Sequence, residues 1–337
     1  MQHKCVIGVD LGGTNVRACA YLEDGSEAGP KIEIASNAQQ GTEAIFDAMQ
    51  EAIEGARKGA SENPTSVGLS IPGHVDDDAG MVRWAPNFGE TKDGVFHYWS
   101  NVPIRAPLER RVGLPVRLGN DANLAALGEY RYGSGKNKAS CLVLITVGTG
   151  IGGGVIMAPS AVTGNASGPI MLVGGNKGGA ELGHMIVQHG GPDPNSGEYG
   201  SIEGYCQRDA IVKRAVNRLR RGRKSIMNDL CGNDLSKVTP AMISQAANQG
   251  DELAIETWAE VGMYLGIGIG SCINIFAPDV FAIGGQIAKA GEWMLGPARR
   301  AAENVAIPTL FKDAQIVQAE QLEDAGMLGA AALAIQS

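Results

Sequence analysis

The 337-residue chain has no C-x-x-C pair, no apolar leader, no surplus of positive charge and no unbroken apolar run of membrane length. The six cysteines (Cys5, Cys19, Cys141, Cys206, Cys231, Cys272) are scattered, which speaks against a disulfide framework and for reduced, mostly buried thiols. The opening "MQHKCVIGVD" passes straight into a strand-like run and lacks the apolar segment of a secretory leader. A net charge of −8 argues against general affinity for nucleic acid. The basic run "KRAVNRLRRGRK", residues 213–224, reads as a solvated helix face and loop. The longest apolar stretch, "VGMYLGIGIGSCINIF" (261–276), is too short and too punctuated by glycine to span a bilayer. These absences predict a cytoplasmic protein with neither a nucleic-acid nor a membrane partner. Two familiar phosphate loops are missing as well. A Walker loop needs Gly-Lys-Ser/Thr opening a helix, and the dinucleotide fingerprint needs strand, glycines and then helix.

What is present is a soluble globular composition, 44% hydrophobic and 19% charged, with 48 glycines gathered in short clusters between apolar runs. The length suits two domains. In "GVDLGGTNVRACAYLEDG" (8–25) a glycine pair separates two apolar runs, so Gly12, Gly13 and Thr14 are expected at the tip of a β-hairpin. That tip reads either as an ordinary turn or as a cradle whose backbone N–H groups meet phosphate, with Asp10 placed to hold a hydrated Mg²⁺. "CLVLITVGTGIGGGVIM" (141–157) repeats the pattern and suggests two related halves facing one cleft. Between them, "LPVRLGNDANLAALGEYRYG" (114–133) predicts a strand, a polar junction and a helix, with Asp121 at the junction as a helix N-cap or a functional carboxylate. Helices and strands alternate to the end of the chain, through the strand "DVFAIGG" (279–285) to a last helix "AGMLGAAALAIQ", so the class is α/β.

Taken in order, these segments resemble the ROK family of repressors and sugar kinases, within the actin/hexokinase-like superfamily. "DLGGTNVR" and "VGTGIGGG" are similar to its two phosphate motifs, and "SIPGHVD" and "WAPNFG" to its sugar-side loops. "GNDANLAALGE" is similar to its catalytic segment, "GGAELGH" to its signature and "NIFAPDVFAIGGQ" to its adenosine-side element. The resemblance implies two ribonuclease H-like α/β domains around a central cleft, residues 1–119 plus 322–337 and residues 120–321. It implies ATP-dependent phosphorylation of a hexose at the 6-hydroxyl, glucose first, with N-acetylmannosamine or another hexose as the alternative. A non-catalytic sugar-sensing regulator is the rival of a different class. Such regulators carry an N-terminal helix-turn-helix, for which a phosphate motif starting at residue 8 leaves no room.

By family position, Asp121 would be the base and Asn87, Asn120, Asp121, Glu181, His184 and Glu203 the sugar-binding set. Carboxylates and amides can bridge neighbouring hydroxyls. Gly12, Gly13, Thr14, Gly148, Thr149 and Gly150 would face the phosphates of ATP, Gly284 and Gly285 the adenosine, and Asp10 the Mg²⁺ through water. The family also implies a homodimer. Many members hold zinc with the histidine and three cysteines that follow it. Here Pro194, Ser196 and Ser201 stand at the thiolate positions, so no zinc site is expected. Side-chain bonds from Asp193, Asn195 and Ser196 are expected to hold that loop instead, with His189, Asp193 and Glu198 the remaining nearby donors. Two insertions, 89–98 and 158–171, are expected to lengthen loops near the cleft.

Overall fold

In the computed structural model, which describes residues 4–164, 167–194, 197 and 199–336, two five-stranded sheets repeat one topology. Asn195, Ser196 and Glu198, named above for the loop after His184, lie outside the described residues.

The first sheet begins with the expected hairpin, β1 (Cys5–Leu11) and β2 (Asn15–Leu22), which pair antiparallel from Cys5↔Leu22 to Leu11↔Val16. It continues with β3 (Ile32–Ala35), then α1 (Thr42–Gly59) and β4 (Val67–Ile71). Strands β5 (His74–Asp76), β6 (Met81–Lys92) and β7 (Val95–Pro103) form a separate three-stranded sheet, followed by α2 (Arg105–Val112). β8 (Val116–Asn120) returns to complete the order β3-β2-β1-β4-β8 and runs directly into α3 (Asp121–Tyr132). The five residues of β4 are all buried, as a parallel strand covered on both faces must be.

The second sheet opens with the second expected hairpin, β9 (Cys141–Val147) and β10 (Ile151–Met157), and takes an edge strand β11 (Ile170–Met171). A helical stretch follows: α4 (Ile202–Cys206), α5 (Arg208–Arg220), α6 (Met227–Leu230), α7 (Pro240–Asn248) and α8 (Glu252–Phe276). β12 (Val280–Gly284), α9 (Glu292–Val305), α10 (Pro308–Asp313), β13 (Gln315–Gln318) and α11 (Ala325–Ile335) end the chain. The order β11-β10-β9-β12-β13 matches the first sheet strand for strand.

α11 packs back on β1 and β4, and on α3. The approach is so close that a Cβ on Gly68 would lie 1.8 Å from the Ala330 carbonyl oxygen, and one on Gly329 1.7 Å from that of Leu124. Part of the glycine richness is therefore helix and strand contact, not turn chemistry.

Two expectations are corrected. Residues 89–98 are not a loop but the outer half of the β6–β7 hairpin, paired from Gly89↔Tyr98 to Lys92↔Val95. Its turn is Asp93-Gly94, both at positive φ (51° and 77°), the two-residue hairpin geometry that D-G favours. The run 261–276 is also the end of a longer helix: α8 has 25 residues, so by length and composition it could cross a membrane. Glycine does not break it, because Gly262, Gly266 and Gly270 form the stripe on which α9 lies. Its buried face (Trp258, Val261, Leu265, Ile269, Ile273) belongs to the second core. Glu256 and Glu260 of the same helix pair with Arg223, Arg214 and Arg218, which accounts for much of the basic run as surface ion pairs.

Candidate active site

The β8–α3 junction fixes the central carboxylate. Asn120, not Asp121, is the N-cap. Its side-chain oxygen accepts the Asn123 N–H at 3.0 Å, and its amide donates to the Gly73 carbonyl at 2.9 Å, tying the strand end to the neighbouring loop. Asp121 is the first helical residue and accepts the adjacent Ala122 N–H at 2.9 Å. Burial pushes its carboxyl up to about 6; the Ala122 N–H opposes the shift, and the negative charges of Asp10 and Glu181 add to it.

Asp121 stands where two cavities meet. The larger, about 670 Å³, is lined by Asn87, Asn120, Asp121, Glu181, His184 and Glu203 together with Gly148, Thr149 and Gly150. The structure thus brings the whole expected sugar set to one wall system with the second glycine loop. Glu203 lies in the first turn of α4, behind the Ser201 cap that accepts the Gly204 N–H, and its Oε2 accepts the Ile151 N–H at 2.7 Å. Ser201, at one of the thiolate positions, is therefore a helix cap. Asp193 accepts the Gly197 N–H at 3.2 Å, as expected for that loop. Cys206 is buried in the second core, its thiol donating to the Val261 carbonyl. Among the described residues no three His, Cys, Asp or Glu side chains are placed to hold a metal ion.

The smaller cavity, about 190 Å³, is lined by Asp10, Arg17, Asp121, Glu129, Gly284 and Gly285 among others. Asp10 is engaged on both oxygens: Arg17 donates at 2.6 Å and the Ser70 hydroxyl at 2.9 Å. Gly12, Gly13 and Thr14 form the tip of the β1–β2 hairpin and line neither cavity. The Gly12 N–H closes the turn on the Asn15 carbonyl at 2.8 Å, and a Cβ on Gly13 would meet nothing within 4 Å. Gly285 differs: its φ is +79° and a Cβ would lie 2.4 Å from the Val147 carbonyl oxygen, so the strand-end turn itself demands glycine.

A third cavity, about 580 Å³, is formed by residues that no sequence motif groups together. Arg208, Thr239, Ser244, Trp258, Gln286 and Lys289 are among its lining, from four separate segments. It adjoins the glycine loops at two points: Gln286 follows Gly285, and the Arg208 N–H donates to the Gly148 carbonyl at 2.9 Å. Gln286, directly after the paired glycines, is the one local signal that pointed to it. The first two cavities share Asp121, Ala122, Thr146 and Gly285, and the third, more apolar one starts at Gln286, the next residue along the chain. Such an arrangement can hold a polyhydroxylated molecule against a proton acceptor and present an anionic chain to it.

Residues 6–337 match the ROK family. The glucokinase of Thermotoga maritima is 34% identical over 328 residues, 97% of this chain and 96% of that one. The xylose repressor of Caldicellulosiruptor bescii is 26% identical over 333 residues, 98% of this chain and 78% of that one. The ROK family glucokinase from Streptomyces griseus, solved in complex with glucose and AMPPNP, is 32% identical and superposes with a TM-score of 0.80 over 99% of this chain and 100% of that one.

Proposed function

The chain belongs to the ROK family, and from that premise we propose that it transfers the terminal phosphoryl group of ATP to the 6-hydroxyl of glucose. Its paired sheets are the actin/hexokinase-like α/β fold. The observation that carries the reading is the placement of Asp121, which lines both the chamber with Asn87, Asn120, Glu181, His184 and Glu203 and the cavity beside the glycine turns.

In this reading glucose occupies the larger chamber, its hydroxyls bridged by Asn87, Asn120, Glu181, His184 and Glu203. Asp121 accepts the 6-hydroxyl proton as that oxygen attacks the terminal phosphorus. Phosphoryl transfer asks little covalent chemistry of the protein, so holding the two reactants in line and matching charge do most of the work. The Gly148–Gly150 backbone would run along the phosphates, and the third cavity would take the adenosine. Asp10 would hold a cation through water and not directly, because Arg17 and Ser70 already bond its two oxygens. Mg²⁺ bound with the nucleotide would screen phosphate charge there. We also propose a domain boundary near residue 119, supported by the return of α11 onto β1 and β4.

A coupled kinase assay across glucose, mannose, fructose, N-acetylmannosamine and N-acetylglucosamine tests this. The highest kcat/KM is expected for glucose. Equal or faster turnover of an amino sugar would reassign the acceptor, and no turnover of any sugar would favour a regulator.

Gly13→Val separates turn from cradle. Since a Cβ there meets open space, stability should change by no more than about 0.5 kcal/mol. Loss of a backbone approach to phosphate should weaken ATP binding about 10- to 100-fold. Calorimetry with ATP, beside a thermal melt, reads both. Unchanged ATP affinity would leave Gly13 as a turn residue only.

A further inference from the structure

The sugar chamber has an aromatic wall beyond its polar set. His74 and Trp84 pair across β5 and β6, both line the chamber, and their ring centroids are 5.3 Å apart at 53°. Tyr98 of β7 meets Trp84 edge-on at 6.4 Å and 75° and is not among the residues lining the chamber. Trp84 is 41% exposed and Tyr98 52% exposed, although both are large amphipathic rings. The same hairpin shows what a structural tryptophan looks like: Trp99 is buried, stacks on Phe88 and donates its indole N–H to Thr42. Trp84 and Tyr98 have no comparable packing role, and they continue the chamber outward. On the other flank, residues 176–179 close on His74, since a Cβ on Gly178 would lie 2.9 Å from its Nε2. That segment carries Lys177, which pairs with Asp78 and gives the shelf a polar rim.

A pyranose has one face of C–H groups and an edge of hydroxyls. An exposed indole next to a phenol buries the first while the rim serves the second. We propose that the His74–Trp84–Tyr98 shelf is a second sugar subsite. It binds the outer pyranose of a disaccharide whose inner hexose occupies the chamber beside Asp121. The inference rests on the kinase reading and extends its acceptor class from free hexose to hexosides.

The test uses the whole protein and calorimetric titration with glucose, methyl β-glucoside, cellobiose and maltose. At least one disaccharide should bind more tightly than methyl β-glucoside, which has the anomeric substituent but no second ring. Trp84→Ala and Tyr98→Ala should each lower that disaccharide's affinity about 2- to 10-fold relative to glucose in the same variant. Trp84→Phe should restore part of the loss. Tyr98→Ala, outside the chamber lining, should leave glucose affinity within about twofold. Disaccharides binding no better than methyl β-glucoside, or variants that weaken glucose and disaccharide alike, would overturn the subsite while the kinase reading stood. Failure of the wild type to bind or phosphorylate glucose would instead remove the reading on which it rests.

Discussion

Asp121→Asn should lower kcat for glucose about 10²- to 10⁴-fold, the usual contribution of a positioned general base. The amide keeps the shape and one acceptor, so glucose affinity should fall by no more than about tenfold. In the wild type the carboxyl is pushed up to about 6 by burial and by Asp10 and Glu181. It must be ionised to accept a proton, so kcat/KM should decline about tenfold per unit below that pH, and the variant should lose this limb. Stability should move the opposite way to activity. Because the folded-state value lies above that of an unfolded carboxyl, the native protein binds more protons between the two. Stability therefore falls as pH rises through that window, and the charge remains a cost above it. Asp121→Asn removes that cost and should melt no lower than the wild type at neutral pH. Steady-state kinetics, calorimetry and melts from pH 5 to 8 test the set. Near-normal turnover in a folded variant would reduce Asp121 to a helix residue.

The residues legible in sequence were those whose chemistry is local. The two hairpins show because apolar runs flank a glycine turn within a few residues, and β1–β2 and β9–β10 pair as that pattern requires. Of the two readings open for Asp121, the cap belongs one position earlier: Asn120 and Asp121 are both good caps, and the backbone conformation, extended at Asn120, separates them. The β6–β7 hairpin is hard to see in sequence because its outer residues are mostly exposed and lack a clear alternation, although Asp93-Gly94 is a hairpin-turn signal. Glycine is a weak helix former, yet α8 runs through its glycines unbroken. What decides that helix is the close seat of α9 on Gly262, Gly266 and Gly270, a contact between segments about 30 residues apart. The third cavity was illegible for the same reason, since its lining comes from helices and turns between 208 and 290 that look locally like ordinary surface.

Glu129 makes the strongest purely structural prediction. It belongs to the same segment as Asp121, yet it is 0% exposed, and its carboxylate is a clamp rather than a solvated charge. Oε1 accepts the Ser134 N–H at 2.9 Å, the Ser134 hydroxyl at 2.7 Å and the Glu320 N–H at 2.8 Å; Oε2 accepts the Gln321 N–H at 2.9 Å. Three of the four donors are backbone groups from two segments far apart in sequence. One segment ends α3, and the other carries the chain from β13 toward α11. Gly133 passes so near that a Cβ would lie 2.4 Å from Oε2, which closes that side of the carboxylate, while its other side borders the smaller cavity. Each buried donor left without a partner costs about 1–3 kcal/mol. Glu129→Ala strands three backbone donors and opens a void, and is expected to lose about 3–5 kcal/mol in urea unfolding, comparable to breaking a buried charge interaction. Glu129→Gln keeps one good acceptor but turns an NH₂ group toward N–H donors, so it should lose less, about 1–3 kcal/mol. The ordering matters as much as the size. Because 320–321 lead into the helix that returns to β1 and β4, both variants should also speed amide exchange at Ser134, Glu320 and Gln321 more than at β4. A loss below about 1 kcal/mol in Glu129→Ala, with exchange at those amides unchanged, would mean that the carboxylate does not hold the two segments together.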